Sequence, residues 1–66
     1  MNTFKYYRLM AGLRQAEVAE CLGVSQTTVS MWETGENHPR AELLPKIAAL
    51  YNCTIDELLT QDPTNM

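Results

Sequence analysis

The chain has 66 residues, of which 45% are hydrophobic and 20% charged, and its formal net charge is -3 at pH 7. A chain this short forms a single domain that buries only roughly 60% of the surface of its unfolded form, which leaves little room for a substrate cavity. No apolar stretch approaches the roughly 20 residues that cross a bilayer, and basic residues interrupt the N-terminal segment, so we expect no membrane association, no signal peptide and a cytoplasmic location.

The negative charge is concentrated near the C-terminus. Basic and acidic residues balance within residues 1–40, and the first 14 residues carry only positive charge. The whole acidic excess therefore falls in residues 41–66. An acidic balance argues against a function that depends on bulk positive charge, but this segregation keeps the excess away from the first two thirds of the sequence.

Two cysteines and one histidine are the residues to consider for a disulfide or a metal. Cys21 and Cys53 form no CxxC pair, and His38 has no second ligand at metal spacing. We expect structural thiols, no metal and no cofactor. His38 is interpreted as a surface residue, with a phosphate contact as the alternative.

The first helix is predicted over residues 3–11. Asn2 or Thr3 can cap its start, and Gly12 can end it in a left-handed turn. Phe4 is expected to point toward the core.

Two short helices joined by a sharp corner follow. Helix two is predicted over residues 15–22 and ends at Gly23, and helix three follows a possible cap at Ser25 and ends at Gly35. Ala19 is small where a bulky side chain would separate the two helices. The apolar residues expected to meet beneath the corner are Val18, Leu22, Val24, Val29 and Trp32.

Two further helices are predicted after a polar loop. The apolar pattern of residues 44–51 indicates helix four, with Pro45 near its first turn and Asn52 in the left-handed C-terminal position. Thr54 and Glu57 have the spacing of a capping box for helix five, over residues 54–59.

The outer face of helix three is polar but uncharged. Gln26, Thr27, Ser30 and Thr34 project there together with Met31. Such a face suits hydrogen bonding to base edges, although polar helix faces are also commonly just solvated. A methionine at helical spacing is usually core filler, but neighbouring apolar residues already occupy the inward direction here.

These segments together resemble a known family. Residues 15–26, QAEVAECLGVSQ, and 29–35, VSMWETG, are similar to helix-turn-helix proteins of the phage-repressor and Cro family, including regulators of the xenobiotic-response-element type. The likeness extends over roughly residues 4–59. It implies an all-α fold, a compact lambda-repressor-like bundle of five short helices with the helix-turn-helix formed by helices two and three. Residues 1–60 would be the DNA-binding domain and 61–66 a flexible tail.

The resemblance also implies which residues contact double-stranded DNA, with helix three in the major groove. The residues that would read bases are Gln26, Thr27, Ser30 and Met31. Those that would contact phosphates are Arg14, Gln15, Thr28, Thr34, Asn37 and Arg40. In the family, Arg8 and Glu33 look like a partly buried ion pair that orients helix one against helix three. The expected protein is a bacterial or phage-encoded, nucleoid-associated transcription regulator, acting as a repressor.

Two departures from the family pattern affect how the protein would bind. Arg14 replaces the serine or threonine that normally caps helix two, a loss of about 1 kcal/mol. Helix three has no Lys or Arg, so the salt-dependent part of DNA affinity should be small, and tight binding would need a homodimer on two half-sites. Its expected surface is the C-terminal part, where Leu43, Leu50 and Leu58 would not all fit one small core.

Another class of function stays open. The acidic C-terminal part is consistent with a protein-interaction module, or with an antitoxin-type regulator that binds a partner protein. The uncharged face of helix three favours DNA, because docking surfaces more often have aromatic anchors. No nucleophile and base are paired in the sequence, so an enzyme is not expected.

Overall fold

The computed structural model describes residues 2–59, and all regular secondary structure within them is helical. The elements in chain order are α1 (Thr3–Met10), α2 (Gln15–Leu22), α3 (Gln26–Thr34), a 3-10 turn (Ala41–Leu43), α4 (Leu44–Tyr51) and α5 (Ile55–Leu59). The prediction of an all-α bundle of five short helices is confirmed, and only the 3-10 turn was not anticipated. The predicted tail, 61–66, lies outside the described residues. No helix of the described part is long and apolar enough to span a membrane.

The helix starts are stabilised by side chains that accept hydrogen bonds from free backbone N–H groups. The cap of α1 is Asn2, whose Oδ1 accepts from the Phe4 N–H at 2.7 Å. Ser25 caps α3 in the same way, accepting from the Thr28 N–H at 3.1 Å. At α2, Arg14 has no acceptor on its side chain, but its own N–H donates to the Glu17 carboxylate at 2.9 Å. Glu17 therefore supplies half of a capping box and offsets part of the expected loss.

The corner between α2 and α3 depends on one left-handed residue and one small one. Gly23 ends α2 with φ 70°, a conformation that costs an L side chain about 1 kcal/mol. The Val24 N–H then donates to the Ala19 carbonyl at 3.0 Å, which closes the turn. Ala19 is buried, and Val18 and Val29 are fully enclosed where the two helices meet.

The predicted start and end of α4 and the predicted capping box of α5 are confirmed. Pro45 lies in the first turn of α4, and Asn52 ends that helix with φ 57°. The Thr54 N–H donates to Glu57 at 2.8 Å, while the Thr54 hydroxyl accepts from the Glu57 N–H at 3.0 Å. This reciprocal capping box starts α5, which has only five residues and depends on it.

The leucines expected on an exposed dimer surface lie elsewhere. Leu43 and Leu58 are buried in the core, so the expectation was wrong for these two, while Leu50 is half-buried. The 3-10 turn carries Leu43 inward before α4 begins, and α5 packs against both α1 and α4, which encloses Leu58. The large apolar side chains that are exposed among residues 2–59 are Leu9, Met10 and Leu59.

Candidate nucleic-acid interface

The outer face of α3 presents the predicted base-reading residues. Gln26 and Thr27 are exposed in its first turn, and Ser30 and Met31 are half-buried one turn later. Val29 and Trp32 point into the core between them. Met31 therefore belongs to the outward side of the helix rather than to its packed side. None of these outward side chains carries a charge.

A chain of hydrogen bonds holds two glutamines at the start of this face. The Gln15 amide donates to Oε1 of Glu33 at 3.0 Å, and the Gln26 amide points to Oε1 of Gln15 at 3.5 Å. The two glutamines line a shallow depression together with Thr27 and Ser30. Because the Gln15 amide is held by Glu33, its side chain is preorganised at the edge of the outer face of α3.

The anchor is the ion pair between Arg8 and Glu33. Arg8 donates from Nε to Oε2 at 2.5 Å and from Nη2 to Oε1 at 3.0 Å, in the two-pronged geometry that guanidinium and carboxylate favour. Its Nη1 donates to the Leu13 carbonyl at 2.8 Å. Only 9% of the Arg8 side chain and 4% of the Glu33 side chain are exposed. The hydrogen bond from Glu33 raises the pKa of Arg8 further above its usual value.

Several of the residues predicted to contact phosphate are already engaged within the chain. The Thr34 hydroxyl bonds to the Met31 carbonyl at 3.2 Å and to the Glu36 carboxylate at 3.1 Å. Arg40 forms an exposed ion pair with Glu42 at 3.2 Å. A phosphate at Thr34 would compete with Glu36 for the single hydroxyl proton, whereas Arg40 keeps further guanidinium N–H groups beside the one that faces Glu42. Both acids lie only two residues away in the sequence and lower the local attraction for phosphate.

The other candidates for phosphate contact differ in how accessible they are. Arg14 is exposed directly before α2, and Gln15 is half-buried at its first position. Asn37 is exposed, and its Oδ1 accepts from the His38 N–H at 2.9 Å, a contact that does not use the side-chain N–H groups. The Thr28 hydroxyl lies 2.9 Å from that of Ser25. Arg14 and Asn37 are thus the most available donors.

The thiols and acidic groups offer no metal centre within residues 2–59. No group of three or more His, Cys, Asp or Glu side chains converges there. Cys21 and Cys53 are both free thiols, the first exposed and the second half-buried. Burial raises the pKa of the Cys53 thiol, and the nearby Glu57 charge raises it further.

Comparison with known proteins identifies relatives over most of the chain. A helix-turn-helix family model matches residues 4–58. The chain is 46% identical over 48 residues to the HTH-type transcriptional activator BcrR of Enterococcus faecalis, covering 73% of this chain but only 24% of the activator. It is 37% identical over 57 residues to an uncharacterized HTH-type transcriptional regulator of Methanocaldococcus jannaschii, covering 86% of each.

A phage protein is also similar. The chain is 36% identical over 59 residues to the cryptic phage CTXphi transcriptional repressor RstR of Vibrio cholerae, covering 89% of this chain and 53% of the repressor. The chain thus spans about half of that repressor and about a quarter of the activator. No solved structure matches it significantly.

Proposed function

The chain belongs to the helix-turn-helix family of transcription regulators, and on that premise we propose that it binds double-stranded DNA sequence-specifically, with α3 in the major groove. The observation that carries this proposal is the uncharged polar face of α3, whose first residue is linked through Gln15 to a buried ion pair. A solvated helix surface would not need such support.

The proposed base readers act by hydrogen bonding and apolar contact. Gln26 can form two hydrogen bonds to the major-groove edge of adenine, at N6 and N7, Thr27 can donate or accept, and Met31 can contact a thymine methyl group. Ser30 lies between them and can bond to either type of base edge. This set favours A·T-containing positions.

The proposed backbone contacts involve Gln15 and its N–H at the start of α2, together with Arg14 and Asn37. A helix N-terminus and amide donors orient a duplex by its phosphates without reading its sequence. Thr28, Thr34 and Arg40 complete the proposed set, although the Thr34 hydroxyl first has to exchange Glu36 for phosphate and Arg40 has Glu42 beside it.

We further propose a homodimer that represses transcription at two half-sites. Few cations are available for phosphate contact, so a second subunit is the simplest way to reach useful affinity. The exposed Leu59 side chain on α5 is a candidate element of the dimer surface, in place of the buried leucines. Repression is favoured by the likeness to a phage repressor, while the likeness to an activator makes activation the alternative. Binding to DNA would place the protein at the nucleoid in the cytoplasm.

Selection of binding sites from random duplex DNA tests the proposal. The wild-type protein should enrich a palindrome, and Gln26→Ala should lose the preference at one position of each half-site. Glu20→Ala, which removes an exposed side chain of α2 outside the proposed interface, should enrich the wild-type palindrome. If the wild-type protein enriches no sequence at low salt, the proposal fails.

A second candidate function is the binding of a partner protein, as in an antitoxin or a regulator controlled by another protein. Leu9 and Met10 on α1 are 49% and 69% exposed, unusually apolar for a free helix end. Loss of partner capture on Met10→Glu, with DNA selection unchanged, would support this second function.

A further inference from the structure

Residues at the start of α1 contact the last turn of α3. Asn2 and Thr3, which we call the N-terminal clamp, make long-range side-chain hydrogen bonds to the last turns of α3 and α5. We propose that this clamp is a positioning element for DNA recognition, which sets the direction of the C-terminal end of α3 in the groove. The hydrogen bonds of the clamp are observed in the structure, whereas its effect on recognition rests on the proposed DNA binding.

Asn2 performs two tasks with the two atoms of its amide. Its Oδ1 accepts from the N–H groups of Phe4 and Lys5 and so caps α1. Its Nδ2 donates to the Trp32 carbonyl at 3.1 Å, across 30 residues of sequence. The same side chain therefore closes the start of one helix and the end of another.

The Trp32 carbonyl is a group that needs such a donor. Trp32 lies in the last turn of α3, where carbonyls have no partner within the helix. The Glu36 N–H, which a continuing helix would aim at this carbonyl, donates to the Thr34 hydroxyl at 3.4 Å. The N–H groups of Gly35 and Asn37 both donate to the Met31 carbonyl, at 3.0 and 3.3 Å. Asn2 thus supplies the Trp32 carbonyl with a hydrogen-bond donor that the residues after α3 do not provide.

Thr3 ties the same junction to the other end of the chain. Its hydroxyl donates to the Leu58 carbonyl in the last turn of α5 at 2.8 Å, and this contact is buried. Thr3 and Leu58 are themselves buried. Because Asn2 and Thr3 are adjacent, the ends of α3 and α5 are both held to the start of α1.

The two ends of α3 are therefore held by different groups. The Ser25 cap and the Gln15 amide hold the end that carries Gln26. The clamp holds the end that follows Met31. Loss of the clamp should disturb recognition by Met31 more than recognition by Gln26, which a general loss of stability would not do.

Asn2→Ser separates the two tasks of Asn2. A serine hydroxyl caps a helix about as well as asparagine does, but it is too short to replace the amide that donates to Trp32. Asn52→Ala is the matched control, because it strains the left-handed end of α4 and removes none of the hydrogen bonds that join α1 to α3 and α5. The base pairs that Gln26 and Met31 each recognise are identified first, as the positions whose preference is lost in Gln26→Ala and in Met31→Ala.

Two measurements then test the clamp. In folded Asn2→Ser, discrimination at the Met31 position should fall about three- to tenfold, the size of one hydrogen bond, with a change below about twofold at the Gln26 position. Amide hydrogen exchange of Gly35 and Asn37 should be faster than in Asn52→Ala at matched stability. Unchanged exchange overturns the clamp whether or not the protein binds DNA. Equal loss at both base positions overturns its role in recognition, and wild-type selection of no site would refute the proposed function instead.

Discussion

Replacing Arg8 with methionine is expected to remove a large part of the stability of the protein. Methionine fills a similar volume but leaves the Glu33 carboxylate buried with Gln15 as its remaining hydrogen-bond donor among those described above. Breaking a buried ion pair from one side typically costs about 3–5 kcal/mol. Domains of this size have a free energy of unfolding of roughly 3–9 kcal/mol, so the loss should amount to at least a third of the stability.

The double variant Arg8→Met with Glu33→Leu separates stability from orientation. Replacing both charges by apolar groups removes the uncompensated carboxylate and should recover most of the loss. Recovery should stop about 1–2 kcal/mol short, because the Leu13 carbonyl and the Gln15 amide each lose a partner. Because Gln15 is then no longer anchored, the folded double variant should still bind its selected site more weakly than the wild type.

Urea unfolding followed by circular dichroism gives the stabilities, and fluorescence anisotropy with labelled duplex gives the affinities. A loss below about 1 kcal/mol in Arg8→Met would mean that the pair behaves like a surface salt bridge. Wild-type DNA affinity in the double variant would show that the pair does not act through Gln15. Either result refutes the reasoning.

Three further predictions concern the Tyr51 hydroxyl, the left-handed residue Asn52 and the two thiols. Tyr51→Phe should leave the unfolding free energy unchanged or higher, because the Tyr51 hydroxyl is buried without a hydrogen-bond partner among the described residues. Burial also raises the pKa of Tyr51, so the wild type should lose stability as pH rises above about 10, and Tyr51→Phe should lose less; parallel pH curves would contradict this. Asn52→Gly should stabilise the protein by about 0.5 kcal/mol and Asn52→Ala should destabilise it by about 1 kcal/mol in thermal unfolding, because residue 52 has φ 57°; the reverse order would be evidence against a left-handed cap. Iodoacetamide should modify Cys21 faster than Cys53 in the native protein, as followed by peptide mass spectrometry, with the difference lost in denaturant; equal native rates would contradict the burial of Cys53.

The features that the sequence predicted correctly are those encoded by neighbouring residues. Gly23, Asn52 and the Thr54–Glu57 box each act within a few residues of their position, so their residue types and spacing suffice. The bounds of α2 and the outward face of α3 follow for the same reason.

The features that it missed depend on packing between distant segments. Whether Leu58 is enclosed is decided by how α5 lies against α1 and α4, and no local period contains that information. The Asn2 contact with Trp32 spans 30 residues, so the sequence predicted a possible cap but not its second partner. At the candidate interface, the helical pattern predicts which residues of α3 face outward. The hydrogen bonds that orient them join residues of different helices, and that pairing is not encoded in the local pattern.

The dependence of DNA affinity on salt, measured side by side for the selected palindrome and a scrambled duplex, tests the central claim most directly. Each phosphate neutralised contributes a slope of about -0.9 to the logarithmic plot, and Arg14 and Arg40 are the charged phosphate contacts proposed. If Arg14 and Arg40 are these contacts, the logarithm of affinity should fall with the logarithm of salt concentration with a shallow slope of about -2 per subunit. The preference for the palindrome should persist as salt rises. A steep slope with equal affinity for both duplexes would contradict recognition by the uncharged face of α3.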